Sequence, residues 1–260
     1  MQYKLAKKYE NDYYLSKIMG PNPLKLLEEL LSTNYLKENS VACDLGSGNG
    51  LTSIFLVKEY NVFVYATDLW SEPKENEKFF NEEGLNSKQI VSIKADANSL
   101  PFSKNSLDAL VCVDSYNYFG SDIDFLDTKI LPFIKDNGYI YINVIAMKKN
   151  YNEKYPSELL LSWNNEQLSF IKPVKYWKHI FNNCKNARVI SFKVTNDDKE
   201  VWNDWIKQNN EYAANDKKAI DENADKYMCF VNVILKKQQI VEWNINKLVT
   251  NSTSNRLKII

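Results

Sequence analysis

The stretch Val41–Gly50 reads VACDLGSGNG, a short apolar run that breaks into glycines at 46, 48 and 50. A strand that turns through glycines lets the backbone approach a ligand closely, and a helix starting behind the turn offers it unpaired N–H groups. A nicotinamide-dinucleotide fingerprint would space its glycines G-x-G-x-x-G, whereas this loop is G-x-G-x-G with Leu51 at the next position. An acidic residue, Asp44, stands two positions before the first glycine. That placement suits a ligand bearing an amine and a sulfonium better than one bearing a pyrophosphate.

Three more aspartates follow at the ends of apolar runs: Asp68 after VYAT, Asp96 after KA and Asp114 after VCV. A carboxylate ending the second strand can accept from both hydroxyls of a ribose, and one ending the third can accept from an adenine amino group. Each alone is an ordinary turn residue. Together with the glycine loop they would line one crevice at the carboxyl ends of successive strands, where open α/β sheets bind ligands.

The elements needed to position them are visible in the periodicity. Asn22 caps a predicted helix with Pro23 at its first position and Leu24, Leu27, Leu30 and Leu31 along one face. Strands are predicted at 41–45, 62–67, 90–94, 107–113 and 138–145. They alternate with helices at 51–60, 72–83 and 123–135, the last interrupted at Pro132. Apolar runs alternating with helices imply a parallel sheet covered on both faces. Beyond 147 the pattern predicts a loop or lid over 148–167, helices at 173–183 and 199–221, and strands at 188–194 and 227–235. Those two strands are joined by a helix and can still pair antiparallel at one edge of the sheet. The expected fold is α/β, Rossmann-like, with a seven-stranded mostly parallel sheet, helices on both faces and one antiparallel edge strand. The 260 residues read as a single domain: an N-terminal helical lid over 1–40, a core over 41–145, an insert and the last two strands over 146–236, and a tail over 237–260.

The ordered set DLGSGNG, TDLW, KADANSLPF, LDALVCVDSYNYF and LPFIKDNGYIYI, spanning Val41 to Ile145, resembles the class I S-adenosylmethionine-dependent methyltransferases. It is most similar to the small-molecule, type 11 group that includes the ubiquinone-biosynthesis methylases. The resemblance implies that Gly46 and Gly48, with Ser47 between them, pack on the methionine part of S-adenosylmethionine. It further implies that Asp68 holds the ribose, that Asp96 and Ala97 hold the adenine edge and that Asp44 orients the loop; Leu69, and Asp114 at the end of the fourth strand, are further cofactor-binding candidates. S-adenosylhomocysteine would be the product. The segments MGPNPLKLLEELL and WNDWIKQNNEYAANDKKAI resemble a bacterial subgroup of unassigned substrate. That subgroup often carries S-Y-H-Y-F after the fourth strand, where this chain has Asn117 in place of the histidine.

Methyl transfer is largely a matter of holding an acceptor in line and excluding water, with a base needed only for a protonated acceptor. Tyr116 and Tyr118, just past the fourth strand, and His179, the only histidine, are the catalytic candidates. Tyr13, Tyr14 and Met19–Asn22 are candidates for a lid, and Trp163, Trp177 and Trp202 for walls of an acceptor pocket. Two further readings stay open: a protein that binds S-adenosylmethionine without turnover, and a nicotinamide-dependent oxidoreductase.

Composition excludes other classes. With 33 basic and 33 acidic residues and only two arginines, Arg188 and Arg256, the chain is a poor nucleic-acid binder. Cys43, Cys112, Cys184 and Cys229 are widely spaced and suggest neither a disulfide framework nor a zinc site, so no metal is expected. No apolar run reaches the length of a membrane span, and the start MQYKLAKKYE has no signal-peptide core. A cytoplasmic protein, monomeric or homodimeric, acting on a small-molecule methyl acceptor is the expectation.

Overall fold

The computed structural model describes residues 3–33, 35–152, 154–195 and 198–239. Apart from its first three residues, the predicted tail lies outside them. Five parallel strands, β1 (Val41–Leu45), β2 (Phe63–Asp68), β3 (Ile90–Lys94), β4 (Leu107–Val113) and β5 (Ile134–Met147), carry the core. They join β6 (Ala187–Val194) and β7 (Met228–Lys237) in one sheet of order β3-β2-β1-β4-β5-β7-β6. β7 runs antiparallel to both β5 and β6, so the expected antiparallel pairing is present at this edge, with β6 as the rim strand.

The chain moves outward from β1 to β2 and β3, then returns to place β4 on the other side of β1. That reversal opens a crevice between the carboxyl ends of β1 and β4. The helices before it are α1 (Asp12–Leu15) and α2 (Pro23–Leu30); within the core come α3 (Leu51–Tyr60) and α4 (Pro73–Glu82). Beyond β5 follow α5 (Asn165–Phe170), α6 (Val174–Asn182), α7 (Lys199–Ile206) and α8 (Glu211–Asp221).

Two apolar clusters fill the faces of the sheet, and strand alternation sorts residues between them. Along β5, Ile140, Ile142, Val144 and Ala146 face Trp177, Ile180 and Phe181 of α6. Tyr141, Ile145 and Met147 face the opposite cluster, with α2, α3, Trp202 and Trp205. Asn143 and Asn232 break this apolar alternation on β5 and β7. They lie directly opposite one another, and Asn143 Nδ2 donates to Asn232 Oδ1 at 2.7 Å. Cys43, Cys112 and Cys229 are buried strand residues, and all four cysteines are free.

Two expected helices differ. The helix predicted over 123–135 is reduced to a single wide turn at Leu126–Ile130 before Pro132. The long helix predicted over 199–221 is two, because Asn210 caps α8 by accepting from Ala213 N at 2.8 Å. Among the described residues no helix is long and apolar enough to cross a membrane.

Candidate active site

The loop after β1 is fixed from every side. Thr67 O accepts from Gly46 N and Ser47 N at 2.8 and 3.2 Å, tying the loop to β2. Gly48 N donates to Asp68 Oδ2 at 3.0 Å, while Asp68 Oδ1 accepts from Trp70 N and Ser71 N at 2.8 and 2.9 Å. Beneath the loop, the buried Asp44 accepts from Thr52 Oγ1 and Ser53 Oγ of the first turn of α3, both at 2.6 Å. Burial pushes its carboxyl up to about 6, against the lowering effect of those two hydroxyls. Two asparagines complete the frame: Asn76 Nδ2 of α4 donates to Gly48 O at 2.9 Å, and Asn49 Nδ2 to Lys17 O at 2.5 Å.

All three loop glycines have positive φ, of 75°, 54° and 87°. At Gly46 a Cβ would lie 2.2 Å from Ser115 Oγ, and at Gly50 it would lie 2.4 Å from the Phe80 ring, whereas at Gly48 it would meet nothing within 4 Å. Gly48 therefore faces open space. That space is a cavity of about 110 Å³ between the loop, the end of β4 and the segment leading to α2. Gly46, Ser47, Gly48 and Asp114 line it, opposite Met19, Gly20 and Pro21. Ser47 Oγ, on a residue 7% exposed, has no hydrogen-bond partner among the described residues. An orphaned hydroxyl and a bare glycine at one wall are what a polar ligand would complete.

The N-terminal segment lies over this crevice by specific ties. Tyr13 and Tyr14 do not enter the cavity; their hydroxyls donate to Glu82 and Glu83 at 3.1 and 2.7 Å and strap the segment to the end of α4. Lys25, its side chain 2% exposed, is paired at 2.7 Å with each of Glu10, Glu200 and Asp204. Asn22 Nδ2 adds a bond to Asp204 at 2.8 Å. Residues near the start and helix α7 are thereby joined in one network.

Asp44, Gly46, Ser47, Gly48, Asp68 and Asp114 come together at the switch point of the sheet. Asp96 is exposed at the rim, its carboxylate taken by Asn98 N and Nδ2 at 2.8 and 2.9 Å and held below the usual range by them. Ala97 is buried against the core, while Leu69 and the adjacent Trp70 are 44% and 74% exposed beside Asp68.

The catalytic candidates are separated. Tyr116 is fully buried among Phe125, Trp177 and Phe181, on the face of the sheet under α6, and its hydroxyl has no partner among the described residues. Trp177 belongs to the same cluster and does not line this cavity. His179 sits on α6 and pairs with Asn183 rather than with anything at the loop. Tyr118 is 58% exposed against Phe170. Trp202 is buried between Trp163 and Phe230.

The structure adds residues that the sequence pattern did not single out. Thr52 and Ser53 had a signal, being hydroxyls in the first helical turn behind a buried acid. Asn76 and Asp216 had none, because only the tertiary fold brings them to the loop and to Trp205.

Residues 43–142 match the family profile described as a methyltransferase domain. By that match this stretch is a methyltransferase domain. The methyltransferase domain and its flanking helices superpose on geranyl diphosphate C-methyltransferase from Streptomyces coelicolor A3(2), crystallised with Mg2+, geranyl diphosphate and S-adenosyl-L-homocysteine. The TM-score is 0.63 at 14% identity, over 88% of this chain and 86% of that one. A methyltransferase from Geobacter sulfurreducens in complex with S-adenosyl-L-homocysteine gives 0.61 at 14%, over 87% and 97%. The [4+2]-cyclase SpnF gives 0.64 at 12%, over 88% and 86%. At these identities the likeness is one of fold. No curated protein matches the chain in sequence.

Proposed function

We propose that this chain transfers a methyl group from S-adenosylmethionine to a small-molecule acceptor, leaving S-adenosylhomocysteine. The observation that carries the reading is the loop wall at the β1/β4 crevice: Gly48 open to the cavity, Ser47 Oγ without a partner, and Asp68 at the end of the neighbouring strand.

In this reading Gly46–Gly48 hold the methionine end of the cofactor and Asp68 the ribose, with Leu69, Asp96 and Ala97 around the adenine. Asp68 is held in place by three backbone N–H groups, so it is oriented before any ligand arrives. Its Oδ2 accepts only one of them and keeps a lone pair for a hydroxyl. When bound, the cofactor supplies an electrophilic methyl on a sulfonium. The chain's part is to shape a dry pocket behind that methyl, and Met19, Gly20 and Pro21 roof it. Neither Tyr116 nor His179 lines the cavity, so neither is given a role in this reading. The half-buried Asp114, which lines the same cavity, is pushed by burial to about 8, a range in which a carboxylate can accept a proton near neutral pH.

A second reading is binding of the same cofactor without methyl transfer, favoured by one comparison: SpnF, of the same fold, is named as a cyclase. Calorimetric titration with S-adenosylmethionine, S-adenosylhomocysteine and NAD tests the first step. Binding of both sulfur compounds and not of NAD supports the cofactor assignment, and absence of sulfur-compound binding in folded protein ends it. Mass-spectrometric detection of a methylated product then separates turnover from binding alone.

A further inference from the structure

The two walls of the cavity are held very differently. On the loop side, Gly46 N and Ser47 N are bound to Thr67 O, Gly48 N to Asp68 and Gly48 O to Asn76, and α3 starts on the buried Asp44. On the roof side, Met19 and Gly20 donate no backbone hydrogen bond among the described residues, and Pro21 has no N–H to donate. Gly20 packs directly on the end of β4, where a Cβ would lie 3.3 Å from Asp114 Oδ2. The space between the walls, about 110 Å³, falls well short of the roughly 300 Å³ or more of a pocket for a drug-sized ligand. A cofactor made of an adenosine and an amino acid enters only by displacing a wall, and the roof is the wall that can yield.

What the roof is joined to decides where that displacement goes. Pro21 and Pro23 both line the cavity, and Asn22, which does not, stands between them. A fixed φ on either side of Asn22 leaves little slack in the chain. Asn22 is buried, and its polar groups are engaged with α2 and α7. Its Oδ1 accepts from Leu24 N and Lys25 N at 3.1 and 3.3 Å and so starts α2. Its N–H donates to Val201 O at 3.0 Å and its Nδ2 to Asp204 Oδ2 at 2.8 Å, both on α7. The same Asp204 Oδ2 receives Lys25 Nζ at 2.7 Å, and Glu200 Oε1, one turn earlier on α7, receives it at 2.7 Å. The chain immediately behind the roof is thus bonded to α7 by backbone, amide and ammonium together.

The connection continues beyond α7. Trp205 Nε1 donates to Asp216 Oδ2 of α8 at 2.9 Å, and Trp202 packs against Trp163 and Phe230. Close-packed elements bonded in this way shift between discrete arrangements rather than deforming locally. Resting on the methyltransferase reading, we propose that Asn22 is a positioning residue that couples the cavity to α7, so that cofactor binding lifts the roof and moves α7 with it. The cap formed by α7 and the α8 it holds then differs between the empty and the filled cavity. The loop wall, bonded to β2, α3 and α4, stays where it is.

The test is hydrogen-exchange mass spectrometry on the full chain, with and without saturating S-adenosylhomocysteine. In the wild type the ligand should slow exchange in the loop at 46–50, and should change exchange over Lys199–Ile206 of α7 by about threefold or more. The rim strand β6, which bonds neither the roof nor α7, should not respond. Asn22→Ser retains a side-chain oxygen to cap α2 but does not reach Asp204. Asp204→Ala cuts the same bond from the other end and leaves Lys25 paired with Glu10 and Glu200. In both variants the ligand-induced change in α7 should fall by about half or more while the change at 46–50 remains. A merely structural role for Asn22 would raise α7 exchange equally with and without ligand and leave the difference intact, and that outcome overturns the proposal. Circular dichroism melts verify folding, and either folded variant suffices for the comparison. A wild type that binds and protects 46–50 with no response in α7 overturns the coupling alone. Failure of S-adenosylhomocysteine to bind the folded wild type removes the methyltransferase reading, and the coupling with it.

Discussion

Gly46→Ala and Gly48→Ala form a matched pair that isolates what the loop wall is made of. Both positions have positive φ, so an added Cβ introduces left-handed strain of about 1–2 kcal/mol at either. Only at Gly46 does it also collide, 2.2 Å from Ser115 Oγ and 2.6 Å from Ser115 Cβ. The first of these atoms can swing away; the second is fixed to the backbone at the end of β4. Overpacking of this kind adds about 1–3 kcal/mol. Gly46→Ala should therefore be less stable than Gly48→Ala by about 1–3 kcal/mol, read as a lower urea midpoint with unchanged slope. Adding Ser115→Gly, which removes both clashing atoms, should recover most of that difference. The order reverses for ligand: Gly48→Ala projects its methyl into the cavity and should lose affinity for S-adenosylhomocysteine by calorimetry while staying folded. Equal midpoints for the two single variants would refute the packing argument. Wild-type affinity in Gly48→Ala would refute the assignment of the cavity.

Lys25→Met strands three carboxylates and should lower stability by about 2–4 kcal/mol in urea, under the range for fully buried pairs because Glu10 and Glu200 are 32% and 47% exposed; a loss below about 1 kcal/mol would show the network to be inert. Asp114, raised to about 8, binds its proton more tightly folded than unfolded. Its contribution is therefore full below about pH 4 and is lost as pH rises through about 8. Asp114→Asn should accordingly lose less stability than the wild type between about pH 5 and pH 9 in melts, and parallel losses would argue against the shift. Tyr116→Phe removes a hydroxyl that has no partner among the described residues and should be neutral or slightly stabilising, with S-adenosylhomocysteine affinity unchanged. His179→Ala should likewise leave any methyl-transfer rate unaltered, and a tenfold fall in rate in either variant would return that residue to the site.

The core was legible because its strands are continuous apolar runs with few alternative uses, and because Asp44 and the glycines mark where β1 must turn. The ends of β1 and β3 agree with their apolar runs to the residue. The catalytic candidates were not legible for a geometric reason. Residues Tyr116–Tyr118 form a 3-10 turn, in which three successive side chains point about 120° apart. Sequence proximity to β4 therefore says nothing about which of them reaches the pocket; Tyr116 goes into the core and Tyr118 outward. The division of 199–221 into α7 and α8 turns on one asparagine cap, and Asn is common enough in this chain that Asn210 does not stand out. Asp216 belongs to that second helix, and only its indole partner from α7 reveals where it points.

The position of β7 bears on how the chain is made. This strand is the last of the sheet to be synthesised, yet it lies between two earlier ones, β5 and β6. Until it arrives, β5 is left with an open edge and β6 has nothing to pair with, so a nascent chain holds five paired strands and one waiting. Completion is then a single insertion with long sequence separation, a slow and aggregation-exposed kind of step. The Asn143–Asn232 amide pair gives that insertion a register mark, since a slip by one residue would turn Asn232 to the other face and leave Asn143 opposite an apolar side chain. Chains halted before residue 228 should accordingly gather on chaperones as near-complete sheets rather than as unfolded polypeptide.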